Sequence, residues 1–104
     1  MYCATKHALN AITQALRHEV MDTPIRVREI KPGFVNTEIV MVHFGGDKER
    51  ADKVYEGMTP LTGQDIAELA VFIATRPAHV QIADTLVLPT DQAAATKVHR
   101  RLPQ

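Results

Sequence analysis

The order of apolar periodicities predicts an α/β fold built on a parallel sheet. Three observations carry it. A long amphipathic segment opens the chain, a short β-branched run between two prolines follows, and a continuous apolar run near residues 85–88 comes after a further amphipathic segment. Helices alternating with strands in this way form βα-type units, and ligands of such sheets collect beyond the carboxyl ends of the strands.

In the opening segment Ala4, Ala8, Leu9, Ile12, Ala15, Leu16 and Val20 recur at three- and four-residue intervals, which predicts a helix over residues 4–21 with one buried stripe. Asp22-Thr23-Pro24 ends it, because the residue before a proline is pushed out of helical backbone. Residues 25–30, IRVREI, read as a strand despite their charges, and Pro32-Gly33 breaks it. Thr62 followed three residues later by Asp65 reads as a capped helix start. Ile66, Leu69, Ala70, Ile73 and Ala74 supply that helix's stripe, and Arg76-Pro77 ends it. Thr85-Leu86-Val87-Leu88 suits a strand buried on both faces.

Tyr2 and Lys6 fall one turn apart at the start of the first helix, and residues i and i+4 share a face roughly 5–6 Å apart. A free phenol has a pKa of about 10, and a cation within ~4–6 Å favours its ionised form. The pair therefore suits an acid/base that trades a proton with a hydroxyl or carbonyl. The alternative is a chance spacing on a solvated helix.

Tyr2-x-x-x-Lys6, then Ile25-Arg26-Val27, then Pro32-Gly33-x-Val35-x-Thr37, in that order and spacing, resembles the C-terminal half of the short-chain dehydrogenases/reductases. Val54-Tyr55, Thr59-Pro60-Leu61, the helix from Asp65, and the stretch from Ile82 to Gln92 are similar to the branch of NADP-dependent 3-hydroxy acid (serine-type) dehydrogenases. The resemblance implies the C-terminal part of a Rossmann-like, doubly wound parallel sheet: long helix, strand, lid helices, helix, strand. Residues 1–104 are then one partial domain, with 93–104 a flexible tail.

The same resemblance implies catalytic roles for Tyr2, as general acid/base, and Lys6, which lowers its pKa and bonds the nicotinamide ribose. It implies cofactor contacts at Pro32, Gly33, Val35 and Thr37: a close-approach turn, main-chain bonds to the carboxamide, and a hydroxyl. For Thr37 the alternative is a helix N-cap. The implied cofactor is NADP, with NAD not excluded, and the implied substrate is a small hydroxy acid or alcohol. The family's glycine-rich turn, catalytic serine and relay asparagine have no counterpart here, so the 104 residues alone are expected to be inactive. The competing reading is an inactive oligomerisation or interaction module derived from such an enzyme.

Residues 39–44 are apolar and Gly45-Gly46 follows, which suits a lid hinge or equally a surface helix pair. The branch carries basic residues where this chain has His43 and Gly45, which bears on a hydroxy acid's carboxylate. Residues 47–50, DKER, read as a solvated helix face.

Twelve basic and twelve acidic side chains cancel, leaving no long-range pull toward nucleic acid or anionic membranes. The basic tail of Lys97, His99, Arg100 and Arg101 is too small for a nucleic-acid surface. The one cysteine, Cys3, fits a small buried residue in a reducing compartment. With no 18-residue apolar run, no signal segment and no metal-type cluster, the expectation is a cytoplasmic protein without metal. Its expected partners are a small-molecule substrate and, in the full-length form, further copies of itself.

Overall fold

The computed structural model describes the backbone of residues 2–36, 45–46, 48–94 and 97–101, and side chains for 4–36, 45–46, 49–50, 53–94 and 97–101. Helix α1 spans Tyr2–Glu19. Its alanines and leucines favour helix, and Arg17 and His18 in the last turn complement the negative end of the helix dipole. Thr23 closes the end, its N–H donating to Val20 O at 2.9 Å and its hydroxyl to the same oxygen at 2.6 Å.

Arg17 ties this helix to the sheet. Its Nε donates to Val27 O and its Nη2 to Ala83 O, both at 3.2 Å, so one guanidinium grips the segments leading into both parallel strands. Strand β1, Glu29–Pro32, pairs in parallel with β2, Asp84–Val87, in the register Glu29↔Asp84 to Pro32↔Val87. The strand expected over 25–30 is thus displaced toward the C-terminus. The cause is its partner: the ladder begins at Glu29 N–H on Ala83 O, while Val27 N–H is taken by Gln81 Oε1 at 2.8 Å.

In β2 exposure alternates, and Leu86 is 66% exposed, so the apolar run of residues 85–88 is not buried on both faces among the described residues. Paired residues in the ladder share a face, so Ile30, Thr85 and Val87 form the inner one. Lys31 and Asp84 share the other and meet in a 2.9 Å ion pair.

Helix α2 spans Lys48–Lys53 and α3 spans Gly63–Ala74. Glu49 and Arg50 of α2 are exposed, as a solvated face requires. The expected cap of α3 is formed on both sides: Asp65 N–H donates to Thr62 Oγ1 at 3.2 Å, and Thr62 N–H to Asp65 Oδ2 at 2.9 Å. Ile66, Leu69 and Ile73 make its inward stripe, and Ile73 is 2% exposed.

The last carbonyls of α3 and the turn after it would be orphaned without a donor. Arg26 supplies it, donating to the oxygens of Ala74, Arg76, Pro77 and Val80 at 2.9–3.1 Å.

Strands β3, Gln92–Ala94, and β4, Lys97–Val98, pair antiparallel in the segment expected as a tail. Beyond them Arg100 Nη1 donates to Glu56 O at 2.7 Å and Arg101 N–H to Gly57 O at 2.6 Å. Gly45 and Gly46 have φ of 64° and 86°, the left-handed region that favours glycine. Residues 39–44, with His43, lie outside the described residues, as do Thr37 and Asp47. No helix among the described residues is long and apolar enough to cross a membrane.

Candidate active site

A cleft of about 990 Å³ opens between α1, the carboxyl end of β1 and the start of α3. Lys6, Pro32, Gly33 and Val35 all line it, together with Leu9, Asn10, Lys31, Tyr55 and Ile66. Tyr2 is the first residue of α1, one turn before Lys6, and its side chain lies outside the described residues, as Thr37 does entirely. A smaller depression of about 400 Å³ sits at the opposite end, between Arg17, Arg26 and His79. Its two guanidiniums are engaged with main-chain carbonyls, and it holds none of the expected site residues.

The turn after β1 is held from several directions. Gly33 N–H continues the ladder to Val87 O at 2.7 Å, and Phe34 N–H donates to Gln92 Oε1 at 2.9 Å. Val35 forms a parallel bridge with Leu61, in which Leu61 N–H donates to Phe34 O and Asn36 N–H to Leu61 O, both at 2.8 Å. That bridge uses the flanking residues' groups and turns Val35's own N–H and C=O to the opposite edge. There Tyr55 Oη donates to Val35 O at 2.9 Å, and the Tyr55 ring meets Phe34 edge-on at 6.4 Å. Val35 N–H meets no partner among the described residues.

Glycine is required at position 33. An ideal Cβ there would lie 2.3 Å from Gln92 Oε1, 2.9 Å from Leu88 Cδ2 and 3.0 Å from Pro89 Cδ. The absent side chain at position 33 thus lets Gln92 pack against the turn, and the turn presents the Val35 N–H after a parallel strand, in the cleft that Lys6 of α1 also lines. Gln92 and Tyr55 shape this turn, and sequence reasoning noticed them only as members of the resemblance. A glutamine between the turn at Pro89-Thr90 and an alanine run was the available signal for the first.

The short chain dehydrogenase family profile matches residues 1–47. Over 101 residues the chain is 52% identical to the NADP-dependent 3-hydroxy acid dehydrogenase of Schizosaccharomyces pombe, covering 97% of this chain and 39% of that protein. It is 42% identical over 102 residues to the protein of the same name from Salmonella typhimurium, covering 96% and 41%. The closed form of serine dehydrogenase complexed with NADP+ matches with a TM-score of 0.85 and 38% identity, over 95% of this chain and 41% of that one. The chain is thus similar to short-chain dehydrogenases over nearly its whole length. It spans about two fifths of the length of the curated relatives it matches.

The parallel β1–β2 pair and its helices correspond to part of the Rossmann-like doubly wound sheet of the matched structure. Lys6 from α1 and Pro32, Gly33 and Val35 from the end of β1 and its turn line one cleft.

Proposed function

We propose that this chain forms the nicotinamide-facing part of an NADP-dependent oxidoreductase that interconverts a small hydroxy acid or alcohol and its carbonyl form. The observation that carries the reading is the convergence of Lys6, Gly33 and Val35 on one cleft, in a chain 52% identical to an NADP-dependent 3-hydroxy acid dehydrogenase. NADP is favoured because that relative and the matched serine dehydrogenase are both named with it.

The residues fit the nicotinamide end. Val35 N–H has no partner among the described residues and suits the carboxamide oxygen, and Gly33 lets the turn pack closely against Gln92. NADP, when bound, supplies or accepts the hydride. Tyr2 at the start of α1 holds the proton that moves to or from the substrate oxygen, and Lys6 one turn on favours its phenolate. Lys6 also bonds the ribose, and Thr37 adds a hydroxyl at the carboxamide end. Gly45 offers no side chain to a substrate carboxylate, so that contact falls to other groups.

The 104 residues carry no glycine-rich phosphate turn and no serine placed to orient the substrate. The purified 104-residue chain is expected to show no NADP-dependent turnover. The same residues joined to the N-terminal portion of a relative, which supplies both, are expected to oxidise 3-hydroxy acids with NADP+ and to lose activity in Tyr2→Phe. Robust turnover by the 104 residues alone would refute the partial-site reading.

A second reading, an inactive interaction module, is favoured by the apolar face that α1 leaves exposed at Leu9, Ile12 and Leu16. Co-expression with a full-length relative tests it: a mixed oligomer that co-purifies without raising or lowering turnover supports it.

A further inference from the structure

We propose that Gln92 is a positioning residue of the cofactor site, whose carboxamide sets the Gly33–Val35 turn so that Val35 N–H faces the cleft. The inference rests on the assignment of that turn to the nicotinamide end. Gln92 is 5% exposed, and a polar side chain that deep is costly unless its groups are bonded. They are. Oε1 accepts Phe34 N–H at 2.9 Å, Nε2 donates to Ala94 O at 3.1 Å, and the main-chain N–H donates to Pro89 O at 3.0 Å.

The orientation of the amide follows from its partners, since the reverse would set an NH₂ against the Phe34 N–H and an oxygen against Ala94 O. One side chain thus joins the ribbon after β2 to the turn after β1. The fit is mutual, because Oε1 occupies the space that any Cβ at position 33 would need.

The anchored amide belongs to Phe34, between Gly33 and Val35. Fixing it, together with the Leu61 bridge on Phe34 O and Asn36 N–H, leaves the Val35 peptide little freedom to rotate. Tyr55 Oη donates to the carbonyl of Val35, on the same edge as the Val35 N–H. Gln92 touches neither the cleft nor the reacting groups in this arrangement and acts through the turn it holds.

The test uses the ¹⁵N-labelled chain, unaltered and as Gln92→Met and Gln92→Glu, with amide exchange read by NMR on the 104 residues and NADPH titration on the same chain joined to the N-terminal portion of a relative, which supplies the phosphate turn. Methionine keeps the length and removes both hydrogen-bonding groups, and a protonated glutamate keeps an acceptor for Phe34 N–H and a donor for Ala94 O, whereas the carboxylate sets an oxygen against Ala94 O. The Gly33 amide, bonded to Val87 O, is the internal control for folding. Expected is exchange at Phe34 roughly tenfold faster in Gln92→Met with Gly33 still protected, loss of the NADPH-induced shift at Val35, and recovery of both in Gln92→Glu only at a pH low enough to protonate its carboxyl.

Unchanged Phe34 exchange in Gln92→Met overturns the proposal. So does faster exchange with the Val35 response to NADPH intact, which makes the contact structural only. If NADPH moves no resonance of the unaltered chain, the assignment of the turn to the cofactor fails and the positioning role with it. The exchange comparison then still reports separately whether the carboxamide holds the turn.

Discussion

Replacing Gly33 with alanine tests the packing of the candidate site at its tightest point. The new methyl carbon would meet Gln92 Oε1 at 2.3 Å and Leu88 Cδ2 at 2.9 Å, contacts that force a shift, and Pro89 Cδ at 3.0 Å, a tight one. Gly33 does not have a left-handed φ, so the cost is steric and not conformational. Overpacking of this kind costs about 1–3 kcal/mol. If the carboxamide swings away, Phe34 N–H loses its acceptor, which adds about 1–3 kcal/mol for a buried donor. The two routes relieve one another in part, so the expected loss is roughly 3 kcal/mol, read from urea unfolding followed by far-ultraviolet circular dichroism. A double variant with Gln92→Ala opens the worst contact, and the cycle should show a coupling of about 1 kcal/mol or more. Gly63→Ala is the matched control, because nothing lies within 4 Å of its Cβ, and it should be neutral or stabilising by up to about 1 kcal/mol. A Gly33→Ala chain within ~0.5 kcal/mol of the parent, or strictly additive effects in the double variant, would refute the reasoning.

Thr62→Ala removes one half of the α3 capping box and should cost about 1 kcal/mol in the same unfolding assay. Arg26→Met strips four carbonyls of their shared donor and should cost roughly 2–3 kcal/mol, with faster amide exchange confined first to the last turn of α3. Lys31→Ala should change stability by no more than about 0.5 kcal/mol and show little salt dependence, because both members of the Lys31–Asp84 pair are well exposed.

Local signals were the most legible part of this fold. The helix α1 and the cap at Thr62 and Asp65 depend on residues within one or two turns, and both form as periodicity and capping chemistry predict, α1 over Tyr2–Glu19 against the expected 4–21. The stripe of α1 expected to be buried is, however, exposed at Leu9, Ile12 and Leu16 among the described residues. The position of β1 depends on a partner more than fifty residues away, so reading its β-branched residues alone placed it four residues early. The continuous run in β2 concealed an alternation, because burial of Leu86 needs a covering layer that no described residue supplies. Pro32 and Gly33 announced a turn, and the resemblance connected it to Lys6 and Val35. Why position 33 must be glycine was hidden, since the atom that excludes a side chain there belongs to Gln92, bonded to a residue 58 positions away.

The most direct test of the functional account is NADP+ reduction with L-serine or another 3-hydroxy acid, by these 104 residues joined to the N-terminal portion of a relative that supplies the phosphate turn and serine, compared with its Tyr2→Phe variant. General acid/base groups contribute about 10²–10⁴-fold, so the account predicts a loss of that size in kcat with cofactor binding retained. Equal turnover by the Tyr2→Phe protein would contradict it.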